Sequence, residues 1–458
     1  MEKTINSTAK HRKGEFMTRR IIHKTKDQSY PDFQAFLYRL IAAYCIILML
    51  IGIVSDPSID LIKGMFRIFT SPSNLITDYF EVGSFGSAFL NSGILTMASL
   101  LLLWIKKVRL NGPMIAALFT VSGFSFFGKD IFNSVPIFLG VSIYARLVRK
   151  PYSQFSLAAL FGSTLSPVIS YIAFGSNLPW PAGIIIGYLV GIFIGMILPP
   201  LSSSFLQFHR GFSLYNVGFT SGIIAMMAAS IMRLFGEEID TPRLIARQYS
   251  TEAGIFLCSL SIALLLVGFV VNNRSLKGMK SIIASPGVLV TDFVTEDGLG
   301  ATLINMGIMG LLMIAFVILL GGTFSGPIVG AVLTVIGFSA FGCHIKNSLP
   351  ILAGVVFAAF VSPMDTSDPV TLIMSALFGT SLAPIAGYYG ILSGIAAGFL
   401  HMTLVSNVTY LHGGLNLYNN GFSCGFVAAC MVPFLDMMID IKEDRGNGRE
   451  GKSMSNRE

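Results

Sequence analysis

Charge is the scarcest thing in this chain. Asp, Glu, Lys and Arg make up 12% of its 458 residues, about half the share found in a soluble domain. Hydrophobic residues account for 53%, more than a globular core of this size can hide, so a soluble fold is excluded. Cysteine is sparse as well. Cys45, Cys258, Cys343, Cys424 and Cys430 lie in or beside apolar segments without Cys-x-x-Cys spacing, which argues against a zinc site or a disulfide framework and for inert, buried thiols. A Walker loop, a His-Glu-x-x-His helix and a dinucleotide fingerprint are all missing, so no cofactor and no metal is expected. The basic N-terminus reaches no apolar core until about Phe36 and has no small-residue cleavage site. It reads as a cytosolic arm, not a signal peptide.

Apolar sequence fills the space instead, in runs of about 17–25 residues, long enough to cross a bilayer as helices. Mean hydropathy is +0.71. Lipid offers backbone groups no partner and barrel alternation is missing, so helices are the expected element. The expected fold is all-α: a polytopic membrane protein of about 12–14 transmembrane helices. Candidate spans lie near 36–54, 85–105, 112–127, 133–147, 154–175, 182–200 and 214–233, then near 252–272, 300–320, 325–341, 349–362, 370–384, 386–404 and 415–436. The net charge of +7 gathers at Lys3 to Lys26 and at Lys442 to Arg457. Beside membrane spans such clusters mark the cytoplasmic side rather than a nucleic-acid partner, so both termini are expected inside the plasma membrane.

Internal repetition is the strongest positive signal. Ser71-Pro72, Thr77-Asp78-Tyr79, Gly86, Asn91 and Gly93 return as Ser285-Pro286, Thr291-Asp292-Phe293, Gly300, Asn305 and Gly307, each 214 positions on. At the same offset, Gly123-Phe-Ser-Phe-Phe-Gly128 and Asn133-Ser-Val-Pro-Ile137 return as Gly337-Phe-Ser-Ala-Phe-Gly342 and Asn347-Ser-Leu-Pro-Ile351. The block running from His209 through Tyr215-Asn216 to Gly222 returns 203 positions on, from His412 through Tyr418-Asn419 to Gly425. Two such apolar halves characterise transporters whose site lies between the repeats. The expected layout is a cytoplasmic arm at 1–35, repeats at 36–235 and 252–438 joined by a loop at 236–251, and a cytoplasmic tail at 439–458.

Two places resist simple assignment. Residues 56–84 and 273–299 are too long for turns and too polar for spans; each is either a re-entrant half-helix or an interfacial loop. The fifth span also differs between halves, since Pro167 to Gly187 covers 20 positions whereas Pro384 to Gly390 covers 6. Seven spans per half invert the second copy, and six leave it parallel. The basic residues Arg274, Lys277 and Lys280 tip the charge balance toward seven, hence toward inverted repeats. Gly183, Gly187, Gly191 and Gly195, echoed by Gly390, Gly394 and Gly398, form flat helix faces for close packing within the protomer, or for a homo-oligomer contact.

The candidate site residues are polar and paired. Asp78 and Asp292 are ionisable groups beside apolar spans, suited to bind a proton, a cation or a substrate amine, or to cap the short helix that follows. Asn91 and Asn305 offer amides as ligand contacts or as glue between helices. The breaks before Asn133 and Asn347 read as helical hairpins, or as buried half-helices whose positive ends face an anion. His209 and His412 could couple transport to protons or be satisfied interfacial histidines. Tyr215 with Asn216, and Tyr418 with Asn419, suit a polar ligand or an interface anchor. Gly421-Phe-Ser423-Cys-Gly425, with His401 and His412 upstream, fits a hydrolase nucleophile pattern. The aligned Gly218-Phe-Thr220-Ser-Gly222 makes small-residue packing the better explanation, and an enzyme is not expected.

At these motifs the chain resembles a bacterial integral membrane family designated domain of unknown function 1576, over about residues 36–438. That resemblance implies a duplicated membrane protein and names no substrate. Gly211-Phe-Ser-Leu-Tyr-Asn216 and Gly414-Leu-Asn-Leu-Tyr-Asn419 are similar to an element of the urea channels, although that family's other signatures are absent. The resulting expectation is a transporter of a small molecule or ion. A passive channel is the runner-up, and an intramembrane serine hydrolase a distant third.

Overall fold

A computed structural model describes residues 30–73, 77–239, 243–362 and 369–455. The basic arm up to residue 29 and the Asp365-to-Asp368 cluster lie outside the described residues. The described chain is helical, with two isolated β-bridges. Its first half contains α1 (Tyr30–Ser55), α2 (Ser58–Phe69), α3 (Tyr79–Val82), α4 (Phe85–Ile105), α5 (Gly112–Phe124), α6 (Ile131–Leu147), α7 (Ser156–Gly162), α8 (Ser166–Ser170), α9 (Trp180–His209) and α10 (Asn216–Leu234). The second half repeats the order as α11 (Ser250–Val271), α12 (Met279–Ala284), α13 (Phe293–Glu296), α14 (Leu299–Leu319), α15 (Gly326–Phe338), α16 (Ile345–Val361), α17 (Pro369–Gly379), α18 (Ala383–Tyr389), α19 (Ile391–His412) and α20 (Asn419–Ser455). Each helix of the first half thus has its counterpart ten elements later.

Among the described residues, ten helical segments are long and apolar enough to cross a bilayer, and four shorter apolar helices accompany them. The short ones are α5, α6, α15 and α16. The fifth segment of each half is full length after all. Ser156–Gly175 and Pro369–Tyr389 run as broken helices, 89% and 83% buried, whereas α1 and α11 are only 33% and 28% buried. The broken segments therefore pass through the protein interior, where surrounding side chains can meet the backbone groups freed at each break. The outer helices face lipid.

The described residues of 56–84 form the short helices α2 and α3, and 273–299 carries the short helices α12 and α13 before α14 begins. In α2 the exposed Ile59, Ile62 and Phe66 form one stripe, while Leu61, Gly64 and Ile68 are buried. That is the pattern of a helix lying along a membrane surface. The chain then dips inward, and Asp78 and Tyr79 are fully buried. Both glycine ladders pack within the protomer except at Gly390, which is exposed with open space where a Cβ would lie. Gly183 and Gly187 face backbone carbonyls at Ile172 and Ile169, Gly195 faces Ile137 and Gly140, and Gly398 faces Ile351. A Cβ at these points would collide with backbone, so only glycine permits the approach. Cys45, Cys343 and Cys424 are buried as expected, but Cys430 is exposed and Cys258 half-buried.

The two halves meet most closely along α5 and α15. Gly112 lies against Ala340, Ala116 against Gly337, Gly123 against Gly330, and Phe126 against Gly326. Numbers rise on one helix as they fall on the other, so these equivalent helices run antiparallel. Position 330 is the counterpart of 116 and 337 that of 123, so each contact is matched by its mirror, as a two-fold axis requires.

Candidate functional site

The two aspartates cap helices in an exchange between the halves. Asp78 Oδ1 accepts from Phe80 N at 2.9 Å, the local cap of α3. Its Oδ2 accepts from Ala246 N and from Gly326 N, each at 3.0 Å. Gly326 opens α15 of the other half. Reciprocally, Asp292 Oδ1 accepts from Val294 N at 3.1 Å and from Gly112 N, the start of α5, at 2.9 Å. A carboxylate at a helix N-terminus meets both the orphan amides and the positive end of the dipole. Because α5 and α15 are antiparallel, the acids sit at opposite ends of the pair, about 20 Å apart for 13 residues at 1.5 Å each. The two carboxylates thus cap opposite ends of the α5–α15 pair and do not share one cleft.

The asparagines hold the breaks. Asn91 Nδ2 donates to Ser125 O at 2.8 Å and Lys129 O at 2.9 Å, and Asn305 Nδ2 donates to Ser339 O and Cys343 O at the same distances. Asn133 and Asp130 close a reciprocal cap on α6, with Asn133 N donating to Asp130 Oδ1 at 3.0 Å and Asp130 N to Asn133 Oδ1 at 2.9 Å. In α16, His344 N donates to Asn347 Oδ1 at 2.9 Å and Asn347 Nδ2 to Gly342 O at 2.9 Å. The start of α6 is thus already occupied by a carboxylate of its own chain, which corrects its reading as an open anion-binding end. The histidines clasp the entry to α10 and α20. His209 Nε2 lies 3.0 Å from Asn216 Oδ1, and His412 Nδ1 lies 2.8 Å from Asn419 Oδ1. His209 Nδ1 and His412 Nε2 are buried with no hydrogen-bond partner.

Tyr215 and Tyr418, just before the starts of α10 and α20, are buried at the contact between the halves. Their rings are 4.7 Å apart, and each packs on the opposite half: Tyr215 on Phe338 at 4.4 Å, Tyr418 on Phe124 at 4.7 Å. Phe161 on Phe338 at 5.5 Å and Phe378 on Phe124 at 5.7 Å complete a six-ring cluster. Polar backbone surrounds it. The break between α7 and α8 brings Thr164 O to Leu417 N at 3.2 Å and Thr164 Oγ1 to Tyr418 N at 2.9 Å. The break between α17 and α18 brings Ser381 O to Leu214 N at 3.0 Å. Every broken element therefore points its irregular backbone at the interface between halves. Two open grooves lie at the periphery, one lined by Phe66, Phe174 and Trp180, the other by Phe316, Phe357 and Phe360.

Sequence reasoning gave Lys129, Thr164 and Asn416 no role. Lys129 is fully buried, its Nζ has no hydrogen-bond partner, and it stands 5.6 Å from the Phe124 ring centroid. The available signal was that Lys129 aligns with Cys343, beside Asp130 aligned with His344, within a motif whose flanking Gly128 and Asn133 are kept as Gly342 and Asn347. Ser423 Oγ does lie 3.0 Å from His401 Nδ1, but Ser423 is inside α20 and His401 Nε2 faces Ser375 O at 3.1 Å. A carbonyl cannot stabilise an imidazolium as the acid of a triad does, and Cys424 Sγ shares the same nitrogen at 3.3 Å.

A family described as protein of unknown function (DUF1576) matches residues 58–234 and 271–437, one stretch in each half. The chain belongs to the DUF1576 family. No curated protein and no solved structure matches it, so the likeness to urea channels has no support beyond its residues. DUF1576 membership and the paired matches fit the repeat that the helices display.

Proposed function

We propose that this DUF1576 protein carries a small polar solute across the cytoplasmic membrane, with its site between two repeats of opposite orientation and both termini inside. The observation that carries the reading is the antiparallel, mirror-matched contact of α5 with α15, the relation expected of inverted repeats that alternate between two open states. The buried breaks at Thr164 and Ser381 support it, because irregular backbone at membrane depth persists where it lines a path. Six rings closing the centre favour a gated carrier over an open pore. His209 and His412, each with one free ring nitrogen, are the groups best suited to a coupled proton. Ser423 we read as a packing residue and the protein as no enzyme.

Thr164→Cys in a cysteine-free background tests the reading. In proteoliposomes the thiol is expected to react with an impermeant reagent from either face in turn, with a transported solute shifting the balance. A thiol that neither face can reach under any condition would remove alternating access.

A further inference from the structure

The centre of the molecule breaks its own symmetry around Lys129. Where the second half has Cys343, whose Sγ bonds Thr380 O at 3.5 Å, the first half has Lys129. The ammonium is fully buried without a hydrogen-bond partner. The nearby acids are already engaged. Asp78 accepts three backbone amides. Asp130 accepts Asn133 N at 3.0 Å, Asn133 Nδ2 at 2.8 Å and Tyr79 OH at 3.5 Å. A second donor is orphaned two residues before Tyr418. Asn416 Oδ1 accepts from Tyr418 N at 3.0 Å and lies 3.2 Å from Thr164 Oγ1, while Asn416 Nδ2 is buried with no partner. Lys129 Nζ stands 5.6 Å from the Phe124 ring centroid, and the Phe124 and Tyr418 rings, from opposite halves, are 4.7 Å apart.

Two unspent donors, one of them charged, call for a ligand made of acceptors. A buried cation without a counter-charge is costly, and an anionic cargo would supply that charge only while bound. Aromatic faces beside the donors suit an apolar stem. We propose that Lys129 and Asn416 bind the carboxylate of a small organic anion, with its hydrocarbon part against Phe124 and Tyr418. This rests on the transport reading and narrows its solute to a carboxylate. An asymmetric cargo also explains why the motif differs between halves at this position.

The test is a thermal-shift and calorimetric comparison of purified full-length protein with acetate, propionate, benzoate and succinate, each against its uncharged amide, and with nitrate and phosphate. Carboxylates are expected to stabilise the wild type and their amides not to. Lys129→Met is expected to bind carboxylates at least tenfold more weakly while melting no lower than wild type, since removing an unpaired buried charge relieves its cost. Lys129→Arg retains the discrimination. Equal binding of acid and amide, binding of inorganic anions alone, or undiminished carboxylate binding by Lys129→Met would overturn the proposal. The acid–amide comparison needs no variant, so a variant that fails to fold leaves it decisive. Saturable flux of an uncharged solute, without carboxylate binding, would sink the carboxylate site and leave transport standing. An inaccessible Thr164→Cys would instead remove transport itself.

Discussion

Asp78 brings two acceptor oxygens to three amide donors from three parts of the chain, Phe80, Ala246 and Gly326, and is fully buried. Its counterpart Asp292 is half-buried and also takes Thr295 Oγ1 at 2.6 Å. Asp78→Asn turns an NH2 group toward an N–H donor whichever way the amide sits, whereas in Asp292→Asn the NH2 can face the Thr295 hydroxyl, which can accept. At Asp78 no water can compensate, so Asp78→Asn is expected to cost about 2–4 kcal/mol, whereas Asp292→Asn, with Asn as good a cap as Asp, is expected to cost less than about 1 kcal/mol. Thermal midpoints in detergent would show the larger drop for Asp78→Asn, and equal drops would refute the unequal burial. The local half of this role was legible, because Thr-Asp before a short helix is a capping signal. The distant half was not. Gly326 lies 248 positions from Asp78, and no periodicity connects them.

Among the elements, α5 and α15 tolerate almost no added volume. A Cβ on Gly123 would meet Gly330 O at 2.7 Å, and one on Gly337 would meet Phe119 Cβ at 2.7 Å. Gly123→Ala and Gly337→Ala are each expected to destabilise by about 1–3 kcal/mol through overpacking. Heating followed by size-exclusion chromatography would show both losing monodisperse protein earlier, and an unchanged profile for either would mean the helices can part. The helices themselves were readable from apolar runs, glycine-proline starts and caps such as Asn111, which accepts from Met114 N at 3.0 Å. The uneven fifth segment misled for a physical reason. In the first half a π turn at Tyr171–Gly175 and a bend at 176–179 separate α8 from α9, while in the second α18 turns straight into α19 at Gly390, with φ of 96°. The connector shortened, not the crossing.

For the molecule as a whole, the proposed opposition of the repeats requires equivalent positions to face opposite sides. Lys106 and Leu320, at the ends of α4 and α14, are such a pair. Lys106→Cys and Leu320→Cys in cysteine-free protein are expected to react with impermeant maleimide from opposite faces, in right-side-out and inverted vesicles respectively. Labelling of both from one side would rule out inversion. Duplication was plain in the sequence, yet the way the copies interlock was not, since each copy reads as though it could stand alone.

It cannot. The carboxylate that accepts the Gly112 amide is encoded 180 residues later. At about 5–20 residues per second, a ribosome takes roughly ten seconds or more to deliver it. Until then the Gly112 amide lacks the acceptor it has in the finished fold, and the start of α5 rests on its local cap from Asn111.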